Sequence, residues 1–307
     1  MRKTFWVIFI ICACMMLLFA CSNETQTNQD EQKQKNDVIH IATKPMTEQL
    51  ILGEMLAILI EEKTGLQTEI TKGVGGGTAN IHPALINGEF DLYPEYTGTS
   101  WYTVLKETQT PTHETMMEEL KKRYNDEFNL RWLGLYGFEN TYGIIVRKEI
   151  ADQYNVSKIS DLEAIAPKLV FGANYDYFER PDGFDAFKEA YHLNFQKTVD
   201  MDIALRFQAL NNAQIDVLNL FTTDAQLSVT EHKILEDDKA FFQDYYAGTV
   251  IRNETLEKHP ELEAAIALLD GQISEKEMSD MNYEIEENKK YEADVAREFL
   301  IAKGIIE

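Results

Sequence analysis

An α/β fold built as two lobes follows from three observations on the sequence. Strand-length apolar runs alternate with helical apolar faces between residues 38 and 96. The same alternation recurs between residues 168 and 221. Two similar segments, "NTYGIIVRK" (140–148) and "YYAGTVIRN" (245–253), bracket the second run, each with a tyrosine, a glycine, a β-branched run and an arginine.

The elements follow in order. "VIHIAT" (38–43) predicts a short strand, and "MTEQLILGEMLAILIEEKTG" (46–65) a long helix with a broad apolar face, Thr47 capping its start and Gly65 ending it. "LQTEITKGV" (66–74) predicts a strand, "ANIHPALING" a helix and "FDLYP" a strand again; this rhythm fits a mostly parallel sheet covered by helices. Pro94 is expected to end that last strand, leaving Tyr96 and Thr99 on a turn at its carboxyl end, where open α/β sheets bind ligands. In the second unit, strands are predicted at 168–174, 195–201 and 215–221, with a helix over 182–193 and another at "ALRFQALNNAQ". Helical spacing of Met278, Met281, Ile285, Val295 and Phe299 makes 256–303 helical.

The two bracketing segments have two readings. As neighbouring strands crossing between lobes, they let the chain enter lobe two by one and leave by the other, which makes a two-strand hinge around a cleft. As ordinary strands of one sheet they imply no cleft. The hinged reading divides the chain into lobe one (38–142 plus 249–307) and lobe two (143–248).

Arg2 and Lys3 precede an apolar run from Phe5 to Ala20, and Cys21 follows in "LLFAC". That pattern reads as a secretory signal over 1–20, and Leu18-Phe19-Ala20-Cys21 resembles a bacterial lipobox, in which the cysteine is lipidated. "SNETQTNQDEQKQKND" (22–37) has no apolar residue, so the stretch from Cys21 to residue 37 is expected to be a flexible tether between a lipid anchor on the outer face of the cell membrane and the folded body. No cysteine follows Cys21, so the body has to stand on its core without disulfides. The net charge of −23 disfavours nucleic acid and anionic surfaces.

Motifs for chemistry are scarce. The six histidines are scattered with no metal-ligand spacing, no serine sits in a G-x-S-x-G elbow, and the body offers no cysteine nucleophile. No metal, cofactor or catalytic residue is therefore expected, and a secreted hydrolase is disfavoured. "KGVGGGTAN" (72–80) departs from both phosphate-binding glycine patterns and reads as a tight turn or as a contact for a ligand carboxylate. Glu95 in "GEFDLYPEYTGTSW" has no partner carboxylate at a fixed spacing and reads as structural. Aromatic residues recur at strand ends: Tyr96, Tyr142, Phe221, Tyr245 and Tyr246. Several rings around one cleft suit a cation that donates no hydrogen bonds, such as a quaternary ammonium, whose cost of leaving water is low. Arg180, in "YFERPDGF" just before the turn-forming Pro181-Asp182-Gly183, suits a carboxylate clamp or an exposed salt bridge.

With those residues in view, "IHIATKPMTEQLILGEMLAILIEEKTG", "GEFDLYPEYTGT", "FERPDG" and "YYAGTVIR" resemble the substrate-binding lipoproteins of osmoprotectant ABC importers, over essentially all of 38–307. The resemblance implies the two-lobed type II periplasmic-binding-protein fold, with glycine betaine, carnitine, choline or a similar compound held in an aromatic cage between the lobes. By motif, the cage comprises Tyr96, Tyr142 and Tyr245, with Phe221 where the family often has tyrosine. Lys44, Thr99 and Arg180 match the groups that meet a ligand carboxylate, and Asn140 matches the cage rim. Period-two alternation sends one of Tyr245 and Tyr246 inward. The implied partners are the small ligand and an ABC permease with its cytoplasmic ATPase. A same-fold receptor for an amino acid or a polyamine is the alternative.

Overall fold

The computed structural model describes residues 38–109, 111–180 and 183–307. The expected signal, lipidated Cys21, the tether, and Pro181 and Asp182 lie outside the described residues.

Alternation places the first sheet. In Val38–Ala42 (β1), Ile39 and Ile41 are buried while His40 points the other way, beside Glu69 of Gln67–Thr71 (β2), with which β1 pairs in parallel. Between them runs the helix Thr47–Thr64 (α1), which buries Ile51, Leu52, Met55, Leu56, Leu59 and Ile60 completely. Its cap is Met46 and not Thr47: the Met46 carbonyl already accepts from the N–H groups of Gln49 and Leu50 at 3.0 and 3.2 Å, so the ladder starts one residue earlier than expected. Gly65 ends it in the left-handed region (φ 76°), its N–H bonded to Glu61 O.

Helix α2 (Thr78–Ile86) leads into β3 (Leu92–Tyr96). Pro94 does not end this strand, which continues to Tyr96. The pairing with β1 is at Leu92, so Pro94 lies beyond that parallel ladder and its missing N–H interrupts nothing there. Its antiparallel partner is Thr249. Two elements beyond the sequence reading complete this unit: α3 (His113–Phe128) and the long strand β4 (Leu130–Glu139).

The second unit holds β5 (Tyr142–Val146), α4 (Lys148–Tyr154), β6 (Val170–Ala173), α5 (Tyr175–Glu179), α6 (Phe184–Tyr191), β7 (Lys197–Asp200), α7 (Arg206–Asn211), β8 (Val217–Phe221) and β9 (Lys233–Leu235). The chain then returns through β10 (Tyr246–Arg252) and closes with α8 (Asn253–Lys258), α9 (Glu261–Ile266), α10 (Glu275–Glu286) and α11 (Glu292–Ala302). The strands form two mixed five-stranded sheets, ordered β2-β1-β3-β10-β4 and β7-β6-β8-β5-β9. Met278, Met281, Val295, Ala296 and Leu300 of the last helices join the core of the first sheet, around Ile51, Leu52 and Met55.

The two bracketing segments carry the chain between the units. β5 and β10 belong to different sheets, and the segments run side by side only before they diverge. Tyr246 pairs with Glu139, the Asn140 N–H donates to Tyr245 O at 3.0 Å, and the Thr141 hydroxyl to Gln243 O at 2.6 Å. By strand pairing, Tyr142 already belongs to the second sheet and Tyr246 to the first. The expected lobe boundaries at 142/143 and 248/249 lie within a few residues of this divide between the sheets.

Candidate functional site

The strand ends near this divide surround one cavity of about 1090 Å³. Tyr96, Thr99, Asn140, Tyr142, Arg180, Phe221 and Tyr245 all line it, as do Glu48, Arg206, Thr223 and Asp224. Seven of the eight residues expected to contact a ligand therefore come together, although they are spread along the chain from Tyr96 to Tyr245. Lys44 does not line the cavity.

Pairing register explains the second-lobe wall. Tyr142 opens β5 and Phe221 closes β8, and they are antiparallel partners, so their rings stack at 4.8 Å with planes 27° apart. Tyr177 packs against Tyr142 at 5.1 Å, and the Arg180 guanidinium lies 5.9 Å over the same ring. Behind Phe221, Arg206 stands 5.4 Å over the ring and holds Asp224 through one nitrogen at 2.5 and 2.6 Å. Asp224 also accepts from the Phe221 N–H at 2.8 Å, so the ion pair fixes the end of β8.

On the first lobe, Tyr245 precedes β10, and its ring lies face-on to Gly98: a Cβ there would meet ring atoms at 2.7 Å. Glycine at 98 is what admits the ring. Tyr246 turns the other way and packs on His113 at 4.3 Å, as period-two alternation requires. Tyr96 ends β3 with only 4% of its surface exposed, and its hydroxyl donates to Glu48 in the first turn of α1. Asn140 donates to the same carboxylate oxygen at 3.1 Å. Burial pushes the Glu48 carboxyl up, hydrogen bonding from Tyr96, Thr223 and Asn140 opposes it, and the negative charge of Asp224 adds to the rise. Burial also raises Asp224, with Arg206 opposing, and the Tyr96 phenol is raised by burial and by Glu48.

Lys44 is placed differently from the expectation that it meets a ligand carboxylate. It is buried, ion-paired with Glu95, and its ammonium lies 4.7 Å from the Tyr96 ring centre. Glu95 is fully buried and accepts in addition from the Thr78 hydroxyl at 2.6 Å, the Tyr93 phenol at 3.0 Å and the Tyr96 N–H at 2.7 Å. A carboxylate so saturated serves to fix the end of β3, in keeping with its structural reading. The glycine-rich loop is a turn, with Gly73, Gly76 and Gly77 at positive φ, and Thr78 after it reaches back to Glu95. The residues sequence reasoning missed are the charged ones, Glu48, Arg206 and Asp224. The signal was present: an arginine on the apolar helical run "ALRFQAL", and a Glu-Gln pair where α1 turns apolar. No group of three or more metal-ligating side chains occurs among the described residues.

Comparison with known proteins places this geometry. A family model described as the substrate binding domain of ABC-type glycine betaine transport systems matches residues 37–302. An ergothioneine transport permease/ergothioneine binding protein of Helicobacter pylori is 46% identical over 86% of this chain. The chain spans about half the length of that relative, 47%. A carnitine transport binding protein of Listeria monocytogenes is 36% identical over 98% of this chain and 97% of its own length. Among solved structures, one described as a glycine betaine/carnitine/choline ABC transporter superposes with a TM-score of 0.82 at 34% identity, covering 87% of this chain and 98% of the other.

Proposed function

Because this chain belongs to the family of substrate-binding domains of ABC-type glycine betaine transport systems, we propose that its cavity captures a betaine-like quaternary ammonium compound and presents it to a membrane permease, without chemical change. The observation that carries the reading is the stacked Tyr142–Phe221 pair on one lobe, with Tyr96 and Tyr245 on the other, around a single cavity.

A trimethylammonium group donates no hydrogen bonds and is weakly hydrated, so ring faces compete well with water for it, at about 0.5–2 kcal/mol per desolvated ring. Arg180 and Thr99 line the same cavity and suit the carboxylate end, Arg180 through a two-pronged bond. The rings belong to different lobes, so a ligand that touches both favours the closed arrangement by as much as its contacts there exceed those in the open one. The permease then reads closure as occupancy. The leader and Cys21 support attachment by lipid to the outer face of the membrane, with the permease and its ATPase as partners. In this reading Lys44 acts from behind the cavity, neutralising Glu95 and bracing Tyr96.

Glu48 and Asp224 on the cavity wall favour a second reading, a receptor for an amino acid or a polyamine. Against it, Asp224 is already held by Arg206, and amino-acid ammonium groups need acceptors for each N–H. Calorimetry with L-carnitine, glycine betaine, choline and ergothioneine, against lysine and putrescine, separates the two. Binding of one or more quaternary ammonium compounds and of neither amine is expected; tight binding of lysine or putrescine alone overturns the proposal.

A further inference from the structure

Four carboxylates line the cavity; Glu286 and Glu287 are exposed, and of the other two only one has a counter-cation. Asp224 is bound to Arg206, whereas no lysine or arginine pairs with Glu48 among the described residues. Yet Glu48 is 3% exposed and lines the cavity. Its Oε1 accepts from the Tyr96 phenol and the Asn140 amide, the Thr223 hydroxyl is a third neutral donor beside the carboxylate, and its Oε2, equally buried, makes no hydrogen bond of ordinary geometry. A buried carboxylate without an opposite charge is costly, and protein sites ordinarily supply one or leave the group protonated.

We infer that the ligand is the counter-ion: the fixed positive nitrogen held by the rings neutralises Glu48, so that the ionisation of Glu48 and the occupancy of the cavity are linked. The inference rests on the reading of the cavity as a quaternary ammonium site. Three further features agree with it. Glu48 is anchored through the Tyr96 hydroxyl, so charge on the carboxylate also enriches the ring above which a cation sits. Its position in the first turn of α1 favours a negative charge only partly, because burial outweighs the helix end. The titratable neighbours are accounted for: Tyr96 on β3 is neutral, Asp224 after β8 is paired with Arg206 and feels Glu286 on α10, and Lys44 is taken up by Glu95.

The sign follows from linkage. Burial raises the pKa of Glu48 in the empty protein and a permanent cation beside it lowers it again, so where the empty form holds the proton binding expels it and affinity rises with pH. Choline and L-carnitine are suited to the test because neither changes charge between about pH 5 and about pH 8, and any pH dependence then belongs to the protein. Calorimetry across that range, in buffers of different ionisation heat, is expected to show proton release and affinity falling by up to about tenfold per pH unit on the acid side. Glu48→Gln is expected to bind both ligands weakly and with a flat profile, while Glu48→Asp keeps the slope and Asp224→Asn does not abolish it. Thermal melts confirm that each variant is folded. A Glu48→Gln protein with wild-type affinity and wild-type slope, or a slope that vanishes in Asp224→Asn instead, overturns the inference while leaving the ammonium site standing. Absence of binding by any quaternary ammonium compound at any pH removes the site itself, and the inference with it.

Discussion

Gly98→Ala tests the ring wall without removing a ring. The residue lies in the helical turn Thr97–Thr99, which alanine adopts freely, so backbone strain plays no part. What the methyl meets is the Tyr245 ring: three of its carbons stand at 2.7 Å from the position a Cβ would take. Ordinary carbon–carbon contact begins near ~3.5 Å, so the ring has to retreat by about 0.8 Å. Tyr245 lines the cavity, and a displacement of that size moves the ring out of contact with whatever its neighbours hold. A cage ring contributes about 0.5–2 kcal/mol, so the loss is expected to be about tenfold in affinity for a trimethylammonium ligand. Overpacking of this kind costs about 1–3 kcal/mol of stability, which a urea melt reads separately. Calorimetry with L-carnitine then gives the affinity of the folded variant. Unchanged affinity in a protein with shifted stability would refute the assignment of Tyr245 to the ligand wall.

Arg180→Ala is expected to weaken L-carnitine by about tenfold and choline, which has no carboxylate, by less than about twofold; equal losses by calorimetry remove Arg180 from the anionic end. Arg206→Met strands the Asp224 carboxylate, whose side chain is 17% exposed against 4% for Arg206, and is expected to cost about 3–5 kcal/mol in urea denaturation. A change below about 1 kcal/mol would mean that Asp224 finds water or another donor. His82 is buried between the edges of Tyr124 and Phe128, with neither ring nitrogen hydrogen-bonded, and burial lowers its pKa below 6.5 against a smaller upward pull from Glu95. The unfolded chain therefore takes up the proton first. The stability this contributes is complete above 6.5 and is lost as pH falls toward the folded value, so wild type is expected to lose stability relative to His82→Phe between about pH 7.5 and about pH 5.5. A constant difference between the two proteins across that window contradicts this.

Local chemistry explains which features were readable in the chain. Period-two and helical spacing placed β1, α1, β2 and β3, because each buries one face against a neighbour and the apolar pattern records which. Both ends of β3 were less legible: Pro94 reads locally as a stop, but lies beyond the parallel ladder and stays within the strand. The bracketing segments were recognised as similar, yet similarity said nothing of which sheet each would join. That depends on partners β8 and β3, some 75 and 150 positions away.

The candidate site divides along the same line. Rings at strand ends were visible because strand ends and aromatic residues are both local signals; alternation said that one of Tyr245 and Tyr246 faces inward, and the fold decided that it is Tyr245. Charges were not. Lys44 and Arg180 look alike in sequence, each a cation near a turn-forming proline, but one is buried against Glu95 and the other lines the cavity. Glu48 and Glu95 likewise look alike. Only the assembled sheet gives Glu95 a cation and three hydrogen-bond donors while leaving Glu48 without a counter-charge. Thus the sequence by itself determined the α/β class, the two units, the family and the ring-bearing strand ends, since these rest on spacing and on short motifs. The tertiary structure alone decided which charges neutralise one another and which face the cavity. Coulombic pairing acts through space over a few ångströms, between residues that the chain holds tens of positions apart.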